Sequence, residues 1–356
     1  MIIITGPSLD TSKNVSGIST VVQMIIRNND RRHYYHFEVG KPDQQARNFS
    51  YVFKLLGDYF KWMMLVLRMG PSLIHFNLPL NGRSVTRDMF FILIAKMLGK
   101  RLVIHLHGGR FYMFPDDSFL LKSAIKLCLG GGNIKIALSE TEKEVLENKL
   151  HIKNVIVLPN CIEVDSLKTS RGLISKQANI LFLGRIEMNK GIAVIYECLR
   201  KLKEYGASFR FILAGSGPDE KEYCEKFRSL LGSCFEFRGV VSGNDKAQLF
   251  LSSHIFLLPS FFEGLPMALL ESMSYGLVPV ATNVGSIGHV IDHGHNGFLV
   301  NVQETESIVS HIRHMMEDEQ MFSRISNSAR NTILQNFNSK HYIEQLNSIY
   351  NHEPGN

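Results

Sequence analysis

The sequence predicts an α/β protein made of two doubly wound domains, and three observations lead there. Short runs rich in Val, Ile, Leu and Phe alternate with longer segments of helical character along all 356 residues. The runs form two series, at 2–5, 73–77, 101–107, 134–139 and 154–158, then at 180–184, 209–214, 235–238, 255–258, 278–281 and 297–300. Finally, Gly-rich loops follow several runs: Thr5-Gly6-Pro7, His107-Gly108-Gly109, Gly184-Arg185 and Gly215-Ser216-Gly217. Doubly wound sheets hold their ligands at such strand ends.

In chain order, the N-terminus Met1-Ile2-Ile3-Ile4-Thr5-Gly6 lacks a basic leader and reads as a first strand, with no export implied. Five runs make a first parallel sheet. Within that half, Lys54, Lys61 and Arg68 recur every seven residues beside Tyr59, Phe60, Trp62, Met63, Leu65 and Val66. This is either a helix packed on the sheet with its cations in water or a membrane-facing surface. The longest apolar stretch, Met89 to Leu98, is interrupted by Lys96 and is too short to span a bilayer. The polar stretch 162–178 reads as a linker, so domains of 1–165 and 166–338 are expected with a cleft between them. Helical stretches at 190–205, 219–231 and 302–316 separate the runs of the second series. Tyr342, Ile343, Leu346, Ile349 and Tyr350 stand at helical spacing before Glu353-Pro354-Gly355, so 339–356 is read as a final amphipathic helix and tail.

Composition narrows the function. Residues 1–170 carry 22 basic and 14 acidic residues, the remainder 17 and 19, so the net +6 resides in the first half. That asymmetry suits an anionic partner for one domain. The basic residues are dispersed, with only Arg31-Arg32 adjacent near aromatics, which argues against nucleic acid. Five separated cysteines with no CxxC pair point to a reducing, cytoplasmic setting.

The most informative segment runs from Leu258 to Gly276. A strand ends at Pro259-Ser260 and a helix begins near Pro266, which leaves the amides of Met267 and its neighbours free to receive a phosphate. Glu271 lies one turn deeper on the face of Met267, where a carboxylate suits the hydroxyls of a ribose. Glu263, in the loop before the helix, can reach a sugar beyond the phosphates. Arg185 and Lys190 follow a strand end and can neutralise a diphosphate, Arg as a fork and Lys as a point charge.

The pattern Pro-Ser-x-x-Glu-Gly-Leu-Pro-x-x-x-x-Glu-Ser-Met-x-x-Gly resembles the signature of family 4 glycosyltransferases. Phe182-Leu183-Gly184-Arg185 with Lys190-Gly191, Leu213 to Pro218, and Asn283 to Ser286 with Gly297 to Val300 extend the likeness across nearly all of the second half. The resemblance implies a GT-B fold and a retaining transfer of sugar from a nucleotide-diphosphate-sugar to a glycan or lipid-linked acceptor. The setting it implies is the synthesis of a surface polysaccharide, such as capsule, O-antigen or exopolysaccharide. It assigns Gly264, Leu265 and Met267, together with Gly215 and Gly217, to donor binding. In the first half the match is looser. Ser16-Gly17-Ile18 resembles the family's Gly-Gly loop, so Gly17 is assigned to the donor, with Ser16 in place of the first glycine. His105-Leu106-His107-Gly108 resembles the strand end whose histidine faces the donor sugar, so His107 joins Glu263 as a catalytic candidate. Cys161 stands where the family usually has glycine after Pro159-Asn160.

No cofactor is expected. No Asp-x-Asp pair exists anywhere, and Asp116-Asp117 are adjacent in a polar loop, so transfer without a metal is the reading. His105 and His107 have the spacing for two metal ligands, but no third is marked. Gly215-x-Gly217 is followed by Pro218 and lacks the third glycine of a dinucleotide loop. Two alternatives remain: a sugar-nucleotide epimerase, and a catalytically silent sugar-nucleotide-binding subunit. A cytoplasmic location, with peripheral contact to anionic membrane, completes the expectation.

Overall fold

The computed structural model describes residues 1–10, 16–40, 49–108, 119–163 and 177–352. Gly109, Asp116-Asp117, most of the 162–178 linker and the Glu353-Pro354-Gly355 breaker lie outside them. The chain divides into two units, Met1–Cys161 with Ser339–Asn356, and Ile162–Asn338.

The first unit contains strands β1 (Ile2–Gly6), β2 (Tyr34–Glu38), β3 (Leu73–Pro79), β4 (Leu102–His107), β5 (Ile134–Ala137) and β6 (Val155–Val157). Its described helices are α1 (Gly17–Asn28), α2 (Phe49–Met69), α3 (Gly82–Met97), α4 (Phe119–Leu129) and α5 (Glu140–Glu144), the last continuing as a π-helical turn. The sheet is wholly parallel, in the order β2-β1-β3-β4-β5-β6. Five strands were expected and six are found. The additional one, Tyr-Tyr-His-Phe-Glu, is an edge strand of partly exposed residues, so it lacks the apolar run that marks the buried strands.

The second unit has β7 (Ala178–Leu183), β8 (Phe209–Ala214), β9 (Phe235–Gly239), β10 (Ile255–Leu258), β11 (Val278–Thr282) and β12 (Phe298–Val300). The helices are α6 (Ile192–Glu204), α7 (Glu220–Leu231), α8 (Gly243–Ser252), α9 (Met267–Ser274), α10 (Thr305–Glu317) and α11 (Glu319–Asn336). Its parallel order, β12-β11-β10-β7-β8-β9, reverses direction between β7 and β10. The first sheet reverses between β1 and β3. In such sheets the chain leaves adjacent strands toward opposite faces at the reversal, opening a crevice beyond their carboxyl ends.

The final helix, α12 (Ser339–Asn351), packs in the first unit. It buries Tyr342, Ile343, Leu346, Ile349 and Tyr350. Asn347 and Asn29 exchange side-chain hydrogen bonds at 3.1 Å in both directions, which fixes the helix against the end of α1.

On α2 the structure separates residues that the sequence placed together. Trp62 and Val66 are fully buried; Trp62 lies among Phe37, Phe76 and Phe91 and donates its indole N–H to the Phe91 carbonyl at 2.9 Å. The outward side carries Val52, Phe53, Leu56, Phe60, Met64 and Leu67 instead, interleaved with exposed Lys54, Lys61 and Arg68.

Candidate active site

The strongest constellation lies at the reversal of the second sheet. After β7 the chain makes a single 3-10 turn, Met188–Lys190, and leaves it through Gly191 at φ +75°. A side chain on Gly191 would put its Cβ 2.1 Å from the Pro259 carbonyl oxygen, so only glycine lets this turn lie against the end of β10. The Phe261 amide donates to the Asn189 carbonyl at 2.9 Å and ties the two loops together. As a result Lys190 Nζ sits 2.7 Å from both carboxylate oxygens of Glu263, and the Ser260 hydroxyl donates to Oε1 at 2.7 Å. Glu263 is buried and Lys190 partly so. A carboxylate in that position is stable because three polar contacts replace its lost hydration.

The surrounding backbone is equally constrained. Gly285, at φ +58°, would bring a Cβ within 2.1 Å of the Glu263 carbonyl oxygen, and the Ser286 amide donates to the Gly264 carbonyl at 3.0 Å. Helix α9 starts at Met267, with Pro266 at the cap position and no side-chain cap. Its first amides are therefore not satisfied by a local side chain, as a phosphate-receiving terminus requires. Leu265 and Met267 are buried and anchor that turn.

Glu271, one turn into α9, is held by Lys246 from α8 at 2.6 Å. Arg185 is largely exposed and touches Glu187 at 3.3 Å. The structure thus joins Lys190 to Glu263, places Glu271 with Lys246, and leaves Arg185 reaching outward. Lys246 was not foreseen, because it comes from a helix carrying no motif; Ser260 was visible only as the Ser of Pro-Ser.

Gly215 and Gly217 have a packing reason of their own. Their Cβ atoms would stand 1.8 Å from the Gly184 carbonyl oxygen and 2.1 Å from that of Ile186. They let the loops after β7 and β8 touch. Gly17 is the first residue of α1, and Ser16 is its N-cap, its hydroxyl accepting from the Ile18 amide at 3.2 Å. The serine that departs from the family's glycine thus gains a capping role. Cys161 is buried, with Sγ 3.8 Å from Met24 Sδ.

In the first unit, His107 ends β4 with its Nε2 2.6 Å from Asn77 Oδ1. Asn77 donates from Nδ2 to the Thr5 carbonyl at 2.7 Å, and its backbone amide donates to the Thr5 hydroxyl at 3.1 Å. These residues bridge β1 and β3, the reversal of that sheet. Behind them lie His105, its ring 4.3 Å from that of His107, and His75, whose Nδ1 is 2.6 Å from the Tyr350 hydroxyl of α12. His107 keeps some contact with solvent, yet its neighbourhood is dense, and burial pushes its imidazole down to about 3. The same cause lowers His75 to about 3 and depresses His105 strongly.

Residues 163–332 match the family model described as Glycosyl transferases group 1. Those residues are a group 1 glycosyl transferase domain. The chain is accordingly an enzyme of the glycosyltransferase class, in keeping with the resemblance to family 4. It is 25% identical over 276 residues to N-acetyl-alpha-D-glucosaminyl L-malate synthase of Bacillus anthracis, an alignment covering 72% of this chain and 70% of that protein. It is 21% identical to the putative teichuronic acid biosynthesis glycosyltransferase TuaC of Bacillus subtilis, over 79% of this chain and 70% of the relative. With several other relatives it shares about half their length. Among solved structures, HepE of Anabaena in complex with UDP and glucose aligns over 99% of both chains with a TM-score of 0.78 and 18% identity. That likeness establishes the fold, which is GT-B.

Proposed function

We propose that this glycosyltransferase moves a sugar, with retention of configuration, from a nucleotide-diphosphate-sugar to a glycan or lipid-linked acceptor during surface polysaccharide synthesis. The observation that carries the reading is the Lys190–Glu263–Ser260 cluster beside the uncapped start of α9, with Glu271 one turn further in. A cation and a helix N-terminus suit a diphosphate, and a carboxylate on the same helix suits ribose hydroxyls. Arg185 adds a second cation to the diphosphate. Glu263, already in place beside Lys190, orients sugar hydroxyls or steadies positive charge as the diphosphate departs. His107 accepts from a hydroxyl of the donor sugar. The leaving diphosphate itself takes the acceptor proton, so no metal is needed. The relative named for teichuronic acid synthesis supports a surface glycan as product, and the neighbour solved with UDP and glucose supports a nucleotide-sugar donor. The basic first half supports an acceptor carried on anionic lipid.

Calorimetry of the purified protein against UDP-, GDP- and ADP-sugars, with EDTA present, tests this. Binding of one donor class without divalent metal is expected, weakened in Glu271→Ala. No binding to any of them, or binding only after magnesium or manganese is restored, contradicts it.

A further inference from the structure

We propose that Asn77 is a positioning residue that locks His107 as the tautomer protonated at Nε2, leaving Nδ1 a bare acceptor for a ligand hydroxyl. The Thr5 carbonyl can only accept. The Asn77 group 2.7 Å away must therefore be its NH2, and this fixes which end of the amide faces His107. The other end, Oδ1, lies 2.6 Å from His107 Nε2 and also can only accept, so Nε2 must carry the proton. A neutral imidazole has a single N–H, and burial keeps this ring neutral at ordinary pH. Nδ1 is then a lone pair. No partner is found for it among the described residues, and the His105 ring, tilted against it with centroids 4.3 Å apart, limits rotation of the imidazole. The neighbouring imidazoles of His75 and His105 are themselves neutral, and burial keeps the Tyr350 hydroxyl beside His75 protonated.

This arrangement selects a ligand chemistry. A bare nitrogen attracts a hydroxyl and repels a phosphate or carboxylate oxygen, so the His107 end of the first sheet takes the neutral, hydroxyl-bearing part of a ligand. That the hydroxyl belongs to the donor sugar rests on the function proposed above.

The test is a long-range proton–nitrogen correlation spectrum of the histidine rings in the ¹⁵N-labelled, ligand-free protein near neutral pH, with His107 assigned by its loss in His107→Gln. A single tautomer with the proton on Nε2 is expected in the wild type. Asn77→Ala should lose that single-tautomer signature, with Nε2–H exchanging with water about tenfold faster or more. Asn77→Asp, which keeps an acceptor in place, should retain the protected Nε2–H. A proton on Nδ1 in the wild type overturns the proposal without recourse to any variant; unchanged tautomer and exchange in Asn77→Ala overturn it as well. Turnover with the donor retained by the calorimetric screen separates the two readings. A fall of about threefold to tenfold in Asn77→Ala supports both. Unchanged turnover alongside a lost tautomer signature leaves the role of Asn77 standing and removes His107 from the sugar site.

Discussion

Two cations assigned to one diphosphate sit in different surroundings, and their variants should behave differently. Lys190 neutralises a buried carboxylate, so Lys190→Ala strands Glu263 and should cost about 1–3 kcal/mol of stability in addition to nucleotide affinity. Arg185 is mostly exposed, so Arg185→Ala should leave stability within about 0.5 kcal/mol while weakening nucleoside-diphosphate binding. Urea unfolding and calorimetry on the same preparations check this; equal destabilisation by both would contradict it. Three clustered histidines of the first unit, His75, His105 and His107, give a pH dependence. Burial depresses their folded-state proton affinities, to about 3 for His75 and His107 and well below the ordinary range for His105, so the unfolded chain binds more protons as pH falls below the ordinary 6.5. Stability is therefore full above 6.5 and falls as pH drops below it, by up to about 1.4 kcal/mol per pH unit for each histidine. The urea midpoint should drop from about pH 8 to about pH 5, with a shallower slope in His75→Gln; a flat profile would count against neutral burial. Glu263, Glu271, Lys190 and His107 were legible in the sequence as candidates because motif spacing marks them. Asn77 and Lys246 were not, because pairing across strands or between helices leaves no local trace.

At the scale of elements, strands buried on both faces announced themselves as apolar runs, and all six strands of the second sheet were read within a residue or two. The edge strand β2 was missed for the opposite reason. Helix α2 shows what periodicity hides: its apolar residues occupy more than one face, and only packing shows which face is covered. With Trp62 and Val66 inside, the outward stripe of Phe53, Leu56, Phe60, Met64 and Leu67 stands beside three cations. Near anionic lipid each cation contributes about 1 kcal/mol, enough together for reversible attachment. Wild type should therefore sediment with anionic but not neutral liposomes at low salt, and a Lys54/Lys61/Arg68 triple glutamate variant should stay in the supernatant. Equal recovery in the supernatant under all conditions would make α2 a surface helix with no lipid role.

For the whole molecule, two parallel sheets with reversals of strand order followed from alternating apolar runs and helical segments, since each run needs a crossover helix to reach its parallel neighbour. The affiliation of the C-terminal helix did not. Its anchoring depends on Asn347 meeting Asn29 and Tyr350 meeting His75, partners some three hundred residues distant that no sequence window contains. Transfer from a nucleotide-diphosphate-sugar is proposed to run through Glu263 and Lys190. The most direct measurement is release of nucleoside diphosphate from UDP-, GDP- and ADP-sugars in EDTA, compared between wild type and Glu263→Gln. Release from one donor class by wild type is expected, with a loss of turnover of about a hundredfold in the variant while nucleotide affinity changes little. No release from any donor, or a variant as active as the wild type, would contradict it.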